Sequence, residues 1–128
     1  MKKRFLLIDD NPIDIIVNKR IIELADLQTT IKTYNSGKAA LGYIKEATQG
    51  ELPEIILLDI LMPEMNGFEF MEQFALLPIN IKEKMNVFLL SSTIDPGDIQ
   101  LANNNPDVIA LLSKPLQSEA LRKYLATI

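Results

Sequence analysis

The sequence predicts a doubly wound α/β domain, in which one sheet of five parallel strands is covered by helices on both faces. Three observations support this prediction. Short apolar runs recur along the 128 residues, segments with helical periodicity lie between them, and the two kinds of segment alternate throughout. A chain of this length is expected to form one domain, so residues 1–128 are interpreted as a single domain with no output domain attached.

The strand predictions rest on five segments that differ in their patterning. Four are uniformly apolar, which indicates strands buried on both faces of a sheet. These four are residues 5–8, 55–58, 87–90 and 108–112. The fifth, Thr29–Tyr34, alternates between apolar and polar side chains and therefore suits the edge of the sheet.

Helical signals occupy the five segments that follow the strands. The first helix begins at Pro12, and the second has Ser36 as its N-cap and apolar residues at helical spacing. The third and fourth cover residues 68–76 and 96–104. The predicted inner face of the first helix is Ile13, Ile16, Val17, Ile21 and Leu24. The predicted inner face of the last helix is Leu121, Tyr124, Leu125 and Ile128.

Alternation of strands and helices favours parallel strands joined by right-handed crossovers. For five strands this leads to the order 2-1-3-4-5 of the flavodoxin-like fold, with five helices, and it puts the alternating segment at an edge. In such sheets ligands bind beyond the carboxyl ends of the strands, near the switch point between strands 1 and 3. Functional residues are therefore expected at those strand ends.

The composition excludes several kinds of site. Without cysteine there can be no disulfide, thiolate metal site or Cys nucleophile, and without histidine there can be no Ser-His-Asp triad or His-ligated zinc. The formal net charge is −4 and no dense Lys/Arg tract occurs, so direct nucleic-acid binding is not expected. No apolar run approaches the ~20 residues that span a bilayer, so a cytoplasmic protein without membrane contact is expected.

Polar residues stand at the ends of four predicted strands. Asp9 and Asp10 follow the first strand, Asp59 ends the third, Ser91 ends the fourth, and Lys114 follows the fifth. Three carboxylates on one rim repel each other unless a cation lies between them. Because oxygen ligands with room for water suit Mg²⁺, the pattern predicts a magnesium site. An aspartate beside such an ion can attack phosphorus and form an acyl phosphate.

Each of these features also has an ordinary structural interpretation. Asp-Asp-Asn-Pro at residues 9–12 is a common entry to a helix, because acids and caps favour helix N-termini. Asp59 could begin a turn, Ser91 could cap a helix, and Lys114 could lie in a solvated loop. The coincidence of all four on one rim favours a functional site.

Four motifs match a known family. They are FLLIDDNPID at residues 5–14, IILLDILMPEMNGF at residues 55–68, FLLSS at residues 88–92 and SKP at residues 113–115. With these motifs, essentially the whole chain resembles the receiver domains of two-component response regulators. The resemblance implies that Asp59 is the phosphoacceptor of a phosphorelay and that Mg²⁺ is its cofactor.

The resemblance also implies a role for each matching residue. Asp10, Asp59 and the backbone carbonyl of Leu61 would bind Mg²⁺ directly, while Asp9 would act through a metal-bound water. Lys114 would contact the phosphoryl group, and Ser91 would be the switch hydroxyl.

Two features of the last strand and its following loop also follow from the resemblance. A cis peptide is implied between Lys114 and Pro115. Receivers commonly carry an aromatic residue three positions before the lysine, where this sequence has Leu111. The usual aromatic switch is therefore not expected, although the phosphorylation chemistry is unaffected.

The implied partners are a sensor histidine kinase or a histidine phosphotransfer protein, together with a separate effector protein. The resemblance also leaves room for a homodimer. A receiver catalyses only its own phosphorylation and dephosphorylation, so it is a signalling phosphoacceptor and not an enzyme that turns over a metabolite.

Three other functions match the sequence less well. A haloacid-dehalogenase-like phosphatase resembles a D-x-D pattern, whereas Asp59 is followed by Ile60 and Leu61. A flavodoxin-like electron carrier would have a glycine- and hydroxyl-rich loop where Asp-Asp-Asn-Pro stands. A binding module that is never phosphorylated would normally have lost part of the acidic site.

Overall fold

The computed structural model describes residues 3–25, 28–93 and 95–128. The strands are β1 (Lys3–Ile8), β2 (Thr29–Tyr34), β3 (Ile55–Asp59), β4 (Asn86–Ser91) and β5 (Val108–Ser113). The helices are α1 (Pro12–Ala25), α2 (Gly37–Glu46), α3 (Gly67–Phe74), α4 (Ile79–Lys82), α5 (Pro96–Asn104) and α6 (Ser118–Leu125), with a 3₁₀ turn at Gln49–Glu51.

The five strands form one parallel sheet in the order β2-β1-β3-β4-β5, which confirms the predicted flavodoxin-like topology. The alternating strand β2 lies at one edge, as predicted, and β5 lies at the other. Val87 pairs with Val108 and Phe88 pairs with Ala110, so the pairing of β4 with β5 shifts by one residue at Ile109. Because all strands run the same way, their carboxyl ends meet at one rim.

The sheet buries side chains on both faces because successive residues of a strand point to opposite sides. On β1, Leu6 and Ile8 join the cluster formed with α2 and α3, whereas Phe5 and Leu7 join the cluster formed with α1 and α6. The same division holds along β3 and β4. This arrangement explains why the central strands are apolar at every position.

The helices follow the predicted order, with one addition. Ser36 caps α2, since its hydroxyl accepts a hydrogen bond from the backbone N–H of Ala39 at 3.2 Å. The connection between α3 and β4 contains the single-turn helix α4, which begins after Pro78 and raises the number of α-helices in the described residues to six. Four residues are too few to produce a helical period, so this turn had no signal in the sequence.

The inner face of α1 was predicted wrongly in part. Of the five residues predicted to face the core, four are exposed, at 68% for Ile13, 69% for Ile16, 40% for Val17 and 46% for Leu24, and only Ile21 packs against a buried cluster. The helix instead buries Asn18 and Ile22. Isoleucine and valine occur on most sides of this helix, so apolar spacing defines no single inner face. Because Asn18 is polar and buried, the face that packs against the core does not show an apolar pattern in the sequence.

The far end of the chain was predicted more closely. In α6, Leu121 is fully buried, and both Tyr124 and Leu125 pack against the cluster shared with α1. Ile128 lies beyond the helix and is 42% exposed, so its assignment to the inner face was wrong.

Among the described residues, no helix is both long and apolar enough to cross a membrane.

Candidate functional site

The carboxyl ends of β1 and β3 bring three aspartates together. Asp9 follows β1, Asp10 is the next residue, and Asp59 is the last residue of β3. One carboxylate oxygen from each lies within 4.8 Å of the others. Asp9 and Asp59 are buried, at 0% and 3% exposed, whereas Asp10 is exposed to solvent. The site is therefore a shallow acidic rim with one open side.

This cluster has the composition expected of a magnesium site. Its ligand atoms are hard carboxylate oxygens, and the exposed position of Asp10 leaves room for water ligands. The ammonium group of Lys114 supplies only one positive charge against the three carboxylates. A divalent cation would offset the remaining repulsion, so the residues present fit the ion.

Lys114 lies at the centre of the ionic network. Its Nζ is 3.0 Å from Asp9 Oδ2, 2.8 Å from Asp14 Oδ2 and 3.3 Å from Asp59 Oδ2. Its backbone N–H donates to the carbonyl of Ser91 at 2.8 Å, which ties the loop after β5 to the end of β4. The peptide bond between Lys114 and Pro115 is cis, as the resemblance implied.

The electrostatic environment shifts the protonation of both partners. Burial raises the pKa of Asp59 to about 6, and the charge of Asp9 adds to this shift, while Lys114 partly offsets it. Burial alone would lower the pKa of Lys114. Hydrogen bonds to Asp14 and Asp9, together with the charge of Asp59, outweigh burial and raise that pKa above its usual value. Lys114 is therefore a permanent cation beside a carboxylate that is costly to ionise.

Ser91 ends β4 and is 3% exposed. Its hydroxyl donates to the carbonyl of Thr93 at 2.5 Å and accepts from the backbone N–H of Thr93 at 3.3 Å. The hydroxyl is thus engaged with its own loop and not with Asp59. Leu111, half-buried on β5, lines a cavity of about 360 Å³ that Ser91 also borders.

The loop after Asp59 is held close to the strand that precedes it. The backbone N–H of Leu61 donates to Asp59 Oδ1 at 3.3 Å, and the N–H of Gly67 donates to the carbonyl of Ile60 at 2.8 Å. The side chain of Leu61 is 63% exposed beside the acidic rim. Glu64 in this loop has a positive φ of 67°.

The structure brings together Asp9, Asp10, Asp59 and Lys114, as the strand-end argument required. It also adds Asp14, which the sequence analysis did not single out. Asp14 lies in the first turn of α1, where an acidic residue is favoured by the helix dipole, so the sequence contained no separate signal of a contact with Lys114. Its pairing with Lys114 depends on a contact between residues 100 apart in the chain.

Comparison with known proteins gives a consistent result. The family described as the response regulator receiver domain matches residues 5–126. The crystal structure of a two-component response regulator from Cytophaga hutchinsonii superposes with a TM-score of 0.89 and 36% sequence identity, covering 98% of this chain and 95% of that one.

Two relatives align with almost the whole of this chain. The probable methanogenesis regulatory protein FilR2 of Methanothrix harundinacea is 30% identical over 128 residues, which cover 96% of this chain and 79% of the relative. The probable C4-dicarboxylate response regulator DctR of Bacillus subtilis is 30% identical over 122 residues, which cover 95% of this chain and 50% of the relative. The chain therefore spans only half of DctR.

Proposed function

We propose that this chain, which belongs to the response regulator receiver domain family, relays a two-component signal by accepting a phosphoryl group on Asp59. The observation that carries the proposal is the convergence of Asp9, Asp10, Asp59 and Lys114 on one rim. The phosphodonor would be a sensor histidine kinase or a histidine phosphotransfer protein.

In the transfer, an ionised oxygen of Asp59 attacks the phosphorus atom of the donor. A new O–P bond forms while the P–N bond of the phosphohistidine breaks, and its electron pair returns to the imidazole nitrogen. The product is an aspartyl phosphate. Since such a reaction depends mainly on positioning and charge neutralisation, the permanent cation Lys114 would pair with a phosphoryl oxygen.

The bound Mg²⁺ would supply the rest of the charge neutralisation. Asp10, Asp59 and the backbone carbonyl of Leu61 would hold it directly, with Asp9 acting through a water. The mutual repulsion of the buried carboxylates supports this assignment, because a divalent ion relieves it.

The readout would begin at Ser91. Its hydroxyl is bonded to the backbone of Thr93 in this structure. A phosphoryl group on Asp59 offers stronger acceptor oxygens, so the hydroxyl would turn toward it and release Thr93. The loop leading into α5 would then change the surface that an effector protein recognises. Because Leu111 is not aromatic, this route does not depend on an aromatic side chain on β5.

Docking of the phosphodonor has a candidate surface next to the acidic rim. Ile13 and Ile16 on α1 are largely exposed, and they follow Asp10 by three and six residues in the sequence. Exposed isoleucines beside a polar rim are suited to burial against an apolar patch of a partner.

The proposed function is tested by intact-protein mass spectrometry after incubation with acetyl phosphate and Mg²⁺. We expect one added phosphoryl group on the parent protein, none without Mg²⁺, and none on an Asp59→Asn variant. If the folded parent stays unmodified with acetyl phosphate and with histidine-kinase donors, the phosphoacceptor function is wrong, and a binding module independent of phosphorylation becomes the better explanation.

Leu61 is expected to prolong the lifetime of the aspartyl phosphate. An apolar side chain beside Asp59 shields the acyl phosphate and orients attacking water poorly. A Leu61→Asn variant should therefore lose its phosphoryl group faster, by about threefold to tenfold. The measurement is the decay of the phosphorylated mass after donor removal, and an equal or longer lifetime in Leu61→Asn would contradict the expectation.

A further inference from the structure

Asp14 makes the shortest contact of the Lys114 ammonium group, yet the roles implied by the family resemblance leave it without a function. Its Oδ2 lies 2.8 Å from Nζ, compared with 3.0 Å for Asp9 and 3.3 Å for Asp59. We propose that Asp14 is a positioning residue that holds Lys114 in place while Asp59 is phosphorylated. This inference rests on the proposed function of Asp59.

The first argument concerns the three N–H donors of the ammonium group. In this structure one carboxylate lies within ion-pair distance for each donor, from Asp9, Asp14 and Asp59. When Asp59 becomes an acyl phosphate, one of its oxygens is bonded to phosphorus and the carboxylate charge disappears. The donor released by Asp59 is then free for a phosphoryl oxygen. Asp9 and Asp14 keep the other two donors, so the ammonium group stays aimed at Asp59.

The second argument concerns the space around the lysine. A cavity of about 250 Å³ lies beside Lys114, and it is also bordered by Val17 and Ser92. Space of this kind leaves other rotamers open to the lysine, so holding its side chain in one rotamer costs conformational entropy. Asp14 opposes a change of rotamer because its carboxylate fixes the end of the side chain.

The third argument concerns a second contact from the same helix. Asn18 lies one turn after Asp14 on α1 and is 1% exposed. Its Oδ1 accepts a hydrogen bond from the backbone N–H of Leu116 at 3.3 Å, whereas its Nδ2 has no partner among the described residues. A buried amide with one unsatisfied group is costly, so its retained bond to the loop after Lys114 points to a role in placing that loop. Helix α1 therefore contacts the ammonium group of Lys114 through Asp14 and the backbone of Leu116, two residues later, through Asn18.

An alternative explanation is that Asp14 only stabilises the start of α1. A carboxylate in the first turn interacts favourably with the helix dipole. The chain offers a matched control, because α5 also begins with a proline and has Asp98 at its third position, as α1 has Asp14. Asp98 forms no ion pair within the described part of the chain, so it carries the helix effect without a lysine contact.

The test is the initial rate of Asp59 phosphorylation by acetyl phosphate at saturating Mg²⁺, followed by intact mass. We expect Asp14→Ala to lower this rate about fivefold, as for loss of one charge-assisted contact. Asp14→Glu should have a rate between those of Asp14→Ala and the parent protein. Asp98→Ala should have the same rate as the parent. Asp14 is 37% exposed, so the variants should fold. The midpoints of thermal unfolding verify that the variants fold. Asp14→Asn, whose side chain has nearly the same shape as that of the aspartate, provides a second variant.

A double-mutant cycle with Lys114→Ala separates positioning from simple charge effects. If Asp14 acts through Lys114, then Asp14→Ala causes no further loss in the Lys114→Ala background. A loss of the same size in both backgrounds overturns the proposal. So does a faster rate in the single variant, since that result means Asp14 mainly repels the anionic donor. Failure of the parent itself to be phosphorylated is a different outcome, because it rejects the proposed function of Asp59.

Discussion

Replacing Gly67 with alanine is expected to destabilise the fold by roughly 2–3 kcal/mol, because the added methyl group has no space. A Cβ atom at this position would lie 2.9 Å from the Cα of Ile60 and 3.0 Å from the carbonyl oxygen of Asp59. Both neighbours are backbone atoms, so they cannot turn aside as a flexible side chain would. The first turn of α3 would have to move away from the end of β3, which carries the phosphoacceptor.

Urea unfolding of the Gly67→Ala variant measures the loss, and Gly42→Ala is its matched control. Gly42 lies inside α2 with no atom within 4 Å of its added Cβ. Alanine there should stabilise the protein by about 0.5–1 kcal/mol, because it is the better helix former. The prediction for Gly67 fails if both variants become more stable.

The Asp59→Asn variant is expected to be more stable than the parent at pH 8 without metal, by roughly 2 kcal/mol. Burial and the charge of Asp9 raise the pKa of Asp59 from 3.8 to about 6. Since the folded-state pKa is raised above the unfolded value, ionised Asp59 opposes folding above pH 6. Asparagine fills the same space without the charge, so it removes this cost.

The sign of the pH dependence is a specific test of that cause. As the pH falls from about 6 to 3.8, Asp59 becomes protonated in the folded chain first, so the difference between parent and variant should shrink and then vanish. Urea unfolding in EDTA at pH 8 and at pH 4 measures both limits. Saturating Mg²⁺ at pH 8 should raise the stability of the parent more than that of the variant. A difference that is independent of pH would exclude the buried charge as its source.

The sequence predicted the architecture because the central strands of a parallel sheet leave a strong signal. Ile55 to Leu58 are buried on both faces, so the run is apolar at every position. The same reasoning was weaker for α1, where exposed Ile13 and Ile16 resemble core residues and buried Asn18 resembles a surface residue. Hydrophobic periodicity identifies an inner face only when the outer face is polar.

The candidate site was predictable to the extent that its residues end strands. Asp9, Asp59 and Ser91 could be assigned to one rim from topology alone, because parallel strands end on the same side. Asp14 could not, since it lies within a helix and meets Lys114 only through the packing of α1 against the loop after β5. Contacts of that kind depend on helix rotation, which the sequence pattern of α1 did not define.

The two edges of the sheet also determine how the chain behaves at high concentration. An unpaired edge strand can add a strand from another molecule and so start aggregation. At the β2 edge, Lys32 is exposed, and charged side chains on an edge strand disfavour the addition of another strand. At the β5 edge, the register shift at Ile109 interrupts the regular hydrogen-bonding ladder, and α5 packs against this strand. Both edges are therefore poor templates for strand addition, which favours a sheet that stays at five strands in a concentrated solution.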